Sequence, residues 1–119
     1  MTSDGRAVSY KTQAALWIAQ RASAAVLALC VVIHLFTIIY AVQGGLTAAE
    51  ILERTRGNAA WFAFYSVFVL AVTVHVPIGL RSLFSEWLRW RGRSRDLALL
   101  LFAAFLGWAG MRAVVGVFA

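Results

Sequence analysis

The sequence predicts an all-α integral membrane bundle of three transmembrane helices, with a short interfacial helix between the first two. Of its 119 residues, 62% are hydrophobic and 13% are charged, whereas a typical soluble domain carries about 25% charged residues. The hydrophobic residues form runs at about 22–42, 59–80 and 97–118. Each run has about 20 residues, which is enough to cross the hydrocarbon core of a bilayer. The whole chain, residues 1–119, is predicted to be a single transmembrane anchor domain.

The link between the first two runs carries the signature of a short helix. Thr47 and Glu50 have the spacing of a capping box, in which each side chain bonds the backbone of the other. Ile51 and Leu52 supply an apolar face, and Gly57 can end the helix. We expect this helix to lie at the membrane interface.

The positive charge of the chain predicts its orientation. Cationic residues on one side of the predicted bundle are Arg6, Lys11, Arg21, Arg81, Arg89, Arg91, Arg93 and Arg95; the other side carries Arg54, Arg56 and Arg112. The positive-inside rule therefore places the N-terminus in the cytoplasm and the C-terminus outside, as in a multi-pass protein of a bacterial inner membrane. Because these arginines flank hydrophobic runs, the partner expected from the net charge of +6 is the lipid bilayer and not nucleic acid.

Two histidines lie inside the hydrophobic runs, where an unpartnered polar group costs several kcal/mol. Measured from the arginine-rich side, His34 lies about 18 Å deep and His75 about 8 Å deep at 1.5 Å per residue. Gly79, one turn from His75, leaves room for a flat ligand close to the backbone. Each histidine is either a neutral hydrogen-bonded contact between helices or an axial ligand of haem. The residues alone leave both readings open.

Two motifs resemble the cytochrome b membrane-anchor subunits of succinate dehydrogenase and fumarate reductase. His75-Val-Pro-Ile-Gly79-Leu-Arg81 resembles the His-x-x-x-Gly-x-Arg signature of that family, and Glu86 falls where many members carry an acidic residue. Trp17-Ile-Ala-Gln20-Arg21-Ala-Ser23 is similar to the start of the family's first helix. The spacing of the motifs and the three-helix layout also match, so the resemblance covers nearly the whole chain.

The resemblance implies a haem- and quinone-binding subunit of a succinate:quinone oxidoreductase. His75 would be an axial ligand of haem b. Arg21 and Ser23 would lie near a ubiquinone or menaquinone pocket, and Arg81 and Glu86 would contact a haem propionate or the docking surface of the iron–sulfur subunit. The implied partners are a flavoprotein subunit, an iron–sulfur subunit and a second membrane-anchor subunit.

His34 departs from family members that hold a single haem and resembles anchors that hold two. The difference in depth of about 10 Å between the histidines makes one shared haem implausible. The resemblance then implies two stacked haems, each with its second iron ligand from a partner chain. Arg112 would pair with a propionate of the outer haem or extend to the outer interface.

No flavin or dinucleotide fingerprint, iron–sulfur cysteine cluster or nucleophile triad occurs in the sequence. Succinate or fumarate chemistry is therefore expected on other subunits, and the chain is not expected to catalyse a reaction alone. Two alternatives stay open: an anchor of another membrane oxidoreductase, and a small oligomeric proton-coupled transporter. The transporter is disfavoured because no Asp or Glu lies inside a span.

Overall fold

A computed structural model describes the backbone of residues 2–119 and the side chains of residues 10–119. The helices are α1 (Thr2–Gln43), α2 (Ala48–Thr55), α3 (Ala59–Trp87) and α4 (Arg93–Phe118). Segments long and apolar enough to cross a membrane are Tyr10–Gln43, Ala59–Trp87 and Arg93–Phe118. The all-α prediction with three candidate spans is confirmed, and each helix extends beyond its hydrophobic run on the arginine-rich side. Arg6, one of the predicted flanking charges, lies outside the described side chains.

Helix α3 is the centre of the bundle, because it packs against both α1 and α4. The few buried apolar side chains lie along these contacts and include Cys30 on α1, Ala71 on α3, and Leu99 and Val114 on α4. Most large apolar side chains are exposed on the outside of the bundle. This arrangement suits lipid as the solvent, because hydrocarbon favours an apolar surface and helix contacts are then made by small residues.

Glycines let α4 approach α3 closely. A Cβ atom added at Gly110 would lie 2.7 Å from Cγ1 and 2.9 Å from Cγ2 of Val69. At Gly107, one turn earlier, an added Cβ would lie 3.6 Å from Cγ2 of Thr73, which is ordinary contact. Among the glycines of α4, Gly110 therefore makes the closest approach to α3, against Val69.

The capping box of α2 is present as predicted. The backbone N–H of Thr47 donates to the Glu50 carboxylate at 2.6 Å, and the backbone N–H of Glu50 donates to the Thr47 hydroxyl at 3.2 Å. Hydrogen bonding by Thr47, mainly through its backbone N–H and then through its side chain, holds the pKa of the Glu50 carboxyl below its usual value. The chain leaves the helix through Gly57 at a φ of 68°, a conformation that favours glycine.

Helix α2 is tied to the end of α4. The Thr55 hydroxyl donates to the Val117 carbonyl at 2.9 Å, and the Gly57 N–H donates to the Phe118 carbonyl at 2.8 Å. We call this side of the bundle the α2 end. The opposite side, which contains the link from Leu88 to Gly92, is called the arginine-rich end.

Gly110→Ala should destabilise the protein, because its new methyl group collides with the branched side chain of Val69, whose rotamer is restricted. Overpacking of this kind costs about 1–3 kcal/mol. Gly116→Ala is the matched control, since nothing lies within 4 Å of a Cβ at that position of the same helix. Thermal denaturation in detergent should show a lower midpoint for Gly110→Ala alone. Equal midpoints for the two variants would contradict the close α3–α4 packing.

Candidate functional site

Both histidines lie where α1 and α3 pack in antiparallel directions. The ring of His34 on α1 contacts the rings of Tyr65 and Phe68 on α3. Nearer the arginine-rich end, the Gln20 amide approaches Gly79. His34 is thus level with residues that precede His75 by 7 to 10 positions, a separation of about 10–15 Å along α3. This register agrees with the difference in depth expected from the sequence.

His75 is half-buried, and its Nδ1 atom has no access to solvent and no hydrogen-bond partner in the described part of the chain. The ring is therefore not acting as a hydrogen-bonded contact between helices through that nitrogen. Gln20 has a similar unpaired atom, since its Oε1 is buried without a partner. The Ser66 hydroxyl on α3 is a third buried polar group without a partner among the described residues, although such groups are normally paired.

The space beside Gly79 differs from the expected open slot. The Nε2 atom of Gln20 lies 3.3 Å from the position of an added Cβ at Gly79, so the Gln20 side chain fills this space. The glutamine side chain is long and flexible, so moving its amide group costs less free energy than moving the backbone. A flat ligand beside His75 would therefore have to displace the Gln20 amide or approach from another side.

His34 packs against two aromatic side chains of α3. Its ring lies edge-on to Tyr65 and Phe68, with centroid distances of 5.8 and 5.7 Å. Its Nδ1 atom is 3.5 Å from the Tyr65 hydroxyl, which is long for a hydrogen bond. These contacts are those of a polar group that helps to join α1 and α3.

A cavity of about 800 Å³ opens beside His34 at the α2 end. Residues from α1, α2 and the start of α3 line it, including His34, Tyr40, Arg54, Trp61 and Tyr65. A smaller hollow of about 360 Å³ lies between α3 and α4 near the arginine-rich end and includes Pro77, Arg81 and Asp96 in its wall. Neither cavity includes His75.

Arg21 and Ser23 lie near Gln20 but differ in exposure. The Ser23 side chain is buried and its hydroxyl donates to the Gln20 carbonyl at 3.1 Å. The Arg21 guanidinium is exposed and lies 5.4 Å from the centre of the Trp17 ring. Arg21 is thus available to a ligand or partner at the membrane surface, whereas Ser23 belongs to the helix interface.

Arg81 is paired within the chain. Its Nε lies 3.4 Å from the Asp96 carboxylate, which also binds Arg95 at 2.8 Å. Arg95 is buried and also donates to the Ser85 hydroxyl. The bonds that join α3 to the start of α4 are therefore Arg81 to Asp96 and Arg95 to Ser85, and the Asp96 carboxylate also binds Arg95 beside it on α4. Glu86, near the end of α3, is exposed.

Arg112 lies away from His34. Its guanidinium is 5.6 Å from the centre of the Trp108 ring, one turn earlier on α4, and both side chains are exposed. His34 lies on the α1–α3 interface, on the other side of the central helix. The structure does not bring these two predicted site residues together.

Four residues of these sites carry no sequence pattern that marks them as site residues: Gln20, Tyr65, Arg95 and Asp96. Gln20 stands inside a motif that resembles the family pattern, and that was its only signal. Tyr65 lies in an aromatic-rich stretch of α3, where nothing in the spacing singles it out. Arg95 was counted among the basic residues that flank a span, and its burial against Ser85 depends on how α4 folds back on α3.

The fold and the site define a polytopic helical membrane protein with two polar imidazoles between its first two spans. The comparison with protein families is more specific. Residues 2–114 match the family described as succinate dehydrogenase/fumarate reductase transmembrane subunit. The chain belongs to this family, which confirms the resemblance seen in its motifs. No curated protein and no solved structure gives a significant match.

Asp96→Asn should loosen the link between α3 and α4, because it leaves buried Arg95 without its charged partner. Hydrogen bonds to charged groups contribute about 1.5–3 kcal/mol, and the half-exposed carboxylate places the loss at the lower end of that range. The expected result is a lower melting midpoint and faster trypsin cleavage after Arg89 or Arg91. Glu86→Gln removes an exposed carboxylate nearby and should change neither property. If both variants behave like the parent, Asp96 does not hold this end together.

Proposed function

We propose that this chain is the haem b- and quinone-binding membrane anchor of a succinate:quinone oxidoreductase. It attaches the flavoprotein and iron–sulfur subunits to the membrane and provides the site where electrons pass to quinone. Family membership supports the anchor role. The observation that carries the cofactor assignment is the buried, unpaired imidazole nitrogen of His75 inside a membrane span.

The chemistry of the His75 imidazole suits a haem ligand, and a haem beside it would take the space that the Gln20 side chain fills. An imidazole with no competing hydrogen bond is free to orient toward iron, and a haem iron would supply one-electron redox chemistry there. Among the described side chains, no group of three or more His, Cys, Asp or Glu residues can hold a metal ion. An iron bound at His75 would accordingly take its remaining ligands from the porphyrin and from a second membrane-anchor subunit.

His34 is the candidate ligand for a second haem. Its edge-on contacts with Tyr65 and Phe68 support the other reading, a polar contact between α1 and α3. We therefore propose one haem held by His75, with the two-haem arrangement as the alternative. Arg112 has no neighbour in the described structure that supports a role toward an outer haem.

The quinone site is proposed at the arginine-rich end of α1. The exposed Arg21 guanidinium can donate hydrogen bonds to a quinone carbonyl. Ser23, two residues later, donates its hydroxyl to the Gln20 carbonyl at the same end of α1. Exposed Arg89, Arg91 and Arg93 present positive charge at the same end. They are suited to bind an iron–sulfur subunit with an acidic surface. The positive-inside rule places this end in the cytoplasm.

His75→Ala should abolish the b-type haem signal in a reduced-minus-oxidised spectrum of the purified complex. His34→Ala should retain this signal if the chain holds one haem. If it holds two, each substitution should remove a different haem. Val67→Ala, on the exposed side of α3, serves as the control. A full haem signal in His75→Ala would refute the ligand assignment while leaving the anchor role intact.

Arg21→Gln should slow quinone reduction by about tenfold or more, which corresponds to about 1.4 kcal/mol of lost transition-state stabilisation. Oxidation of succinate should be unchanged when a soluble dye accepts the electrons directly from the flavoprotein or iron–sulfur subunit, before they reach the membrane anchor. Lys11→Gln removes another exposed cation of the same helix and is the matched control. Equal loss in both assays would show damage to the assembly and not to a quinone site. Co-purification with a flavoprotein and an iron–sulfur protein tests complex membership itself.

A further inference from the structure

The cavity at the α2 end exists because α2 is tied to one side of the bundle. Thr55 and Gly57 bond the last carbonyls of α4. No comparable backbone bond joins α2 to α1 in the described structure. The space between the outer half of α1 and the first turns of α3 therefore stays open, with a volume of about 800 Å³. This size is within the range of pockets that bind small molecules.

The cavity is lined by both polar and apolar side chains. Arg54 of α2 is one of them, with its guanidinium 5.7 Å from the centre of the Tyr40 ring. Ile33 lies seven residues before Tyr40 on α1, which is about 10 Å deeper in the membrane. The apolar lining residues are Ile33, Phe36, Ile38, Ala41, Leu46, Ile51 and Trp61, and the polar ones are His34, Thr37, Tyr40, Arg54, Thr55, Asn58 and Tyr65. The cavity thus offers a cation at the α2 end and apolar side chains of α1 that extend toward the bilayer centre.

Arg54 forms no salt bridge among the described side chains, although its charge contributes to the lowered pKa of Glu50. Glu50, one turn earlier, uses its carboxylate to accept the Thr47 N–H in the capping box. No carboxylate lies within salt-bridge distance of Arg54 among the described residues, and no acidic side chain lines the cavity. Asn58 is occupied as the cap of α3, where it accepts the N–H groups of Ala60 and Trp61. Arg54 is therefore the one cationic group that faces this cavity.

We infer that this cavity binds an anionic phospholipid, with its phosphate on Arg54 and an acyl chain along the outer half of α1. Arginine pairs well with phosphate because its guanidinium presents parallel N–H donors. A quinone carries no charge to match Arg54. His34 also lines the cavity, so a haem is the competing occupant that the test below distinguishes from a phospholipid.

The test is to count phospholipids that stay with the purified complex after detergent exchange, by native mass spectrometry and lipid extraction. The parent protein should retain a roughly equimolar anionic phospholipid. Arg54→Gln should lower this retention by tenfold or more. Arg56→Gln, an exposed cation two residues away that does not line the cavity, should retain it. Dioleoylphosphatidylglycerol added to the delipidated parent should restore occupancy, whereas dioleoylphosphatidylcholine should not.

A second pair of variants leaves Arg54 in place. Ala41 lines the cavity, so Ala41→Phe should fill it and displace the lipid. Val42 is 74% exposed and lies outside the cavity, so Val42→Phe should have no effect. Equal retention in Arg54→Gln and Arg56→Gln, or in both phenylalanine variants, would overturn the inference. It would also be overturned by extraction of a quinone in place of the phospholipid, or by loss of haem in Arg54→Gln with the lipid unchanged.

Discussion

The contact of Val69 with the bare backbone of Gly110 sets how closely α4 lies against α3. In a membrane, helices are not driven together by the hydrophobic effect, because lipid tails are as apolar as their side chains. Close packing of small residues supplies the attraction instead. With α4 held against one side of α3 and α1 against the other, α3 becomes the central helix, and both ends of the bundle follow from that order.

The two ends are closed in different ways. At the arginine-rich end, Asp96 binds Arg81 and Arg95 and so holds the start of α4 against the end of α3. At the α2 end, backbone and hydroxyl hydrogen bonds attach α2 to the end of α4. Because α2 is hydrogen-bonded to α4, a cavity is left between α2, the outer half of α1 and the start of α3. The same topology that joins three spans thus leaves a space lined by polar and apolar side chains.

The two histidines are distinguished by their neighbours. His34 lies against aromatic rings and faces a tyrosine hydroxyl, so part of the cost of placing it in the membrane is offset. His75 has a buried nitrogen with no partner, a state that is costly unless a ligand or bound group uses the ring. This contrast is why the proposed function assigns the haem to His75, and it could not be seen from the depth of either residue.

The sequence by itself determined the fold class, the three spans, the capping box of α2 and the family. Each of these depends on local or one-dimensional properties: the length of apolar runs, a spacing of three residues, and the order of short motifs. Only the tertiary structure decided which polar groups meet. Gln20 fills the space at Gly79, Arg81 binds Asp96, and Arg112 lies away from His34. The reason is that contacts between helices depend on the rotation of each helix about its axis and on the register between helices. A hydrophobic run fits a membrane in every rotation, so its sequence says little about the rotation or the register.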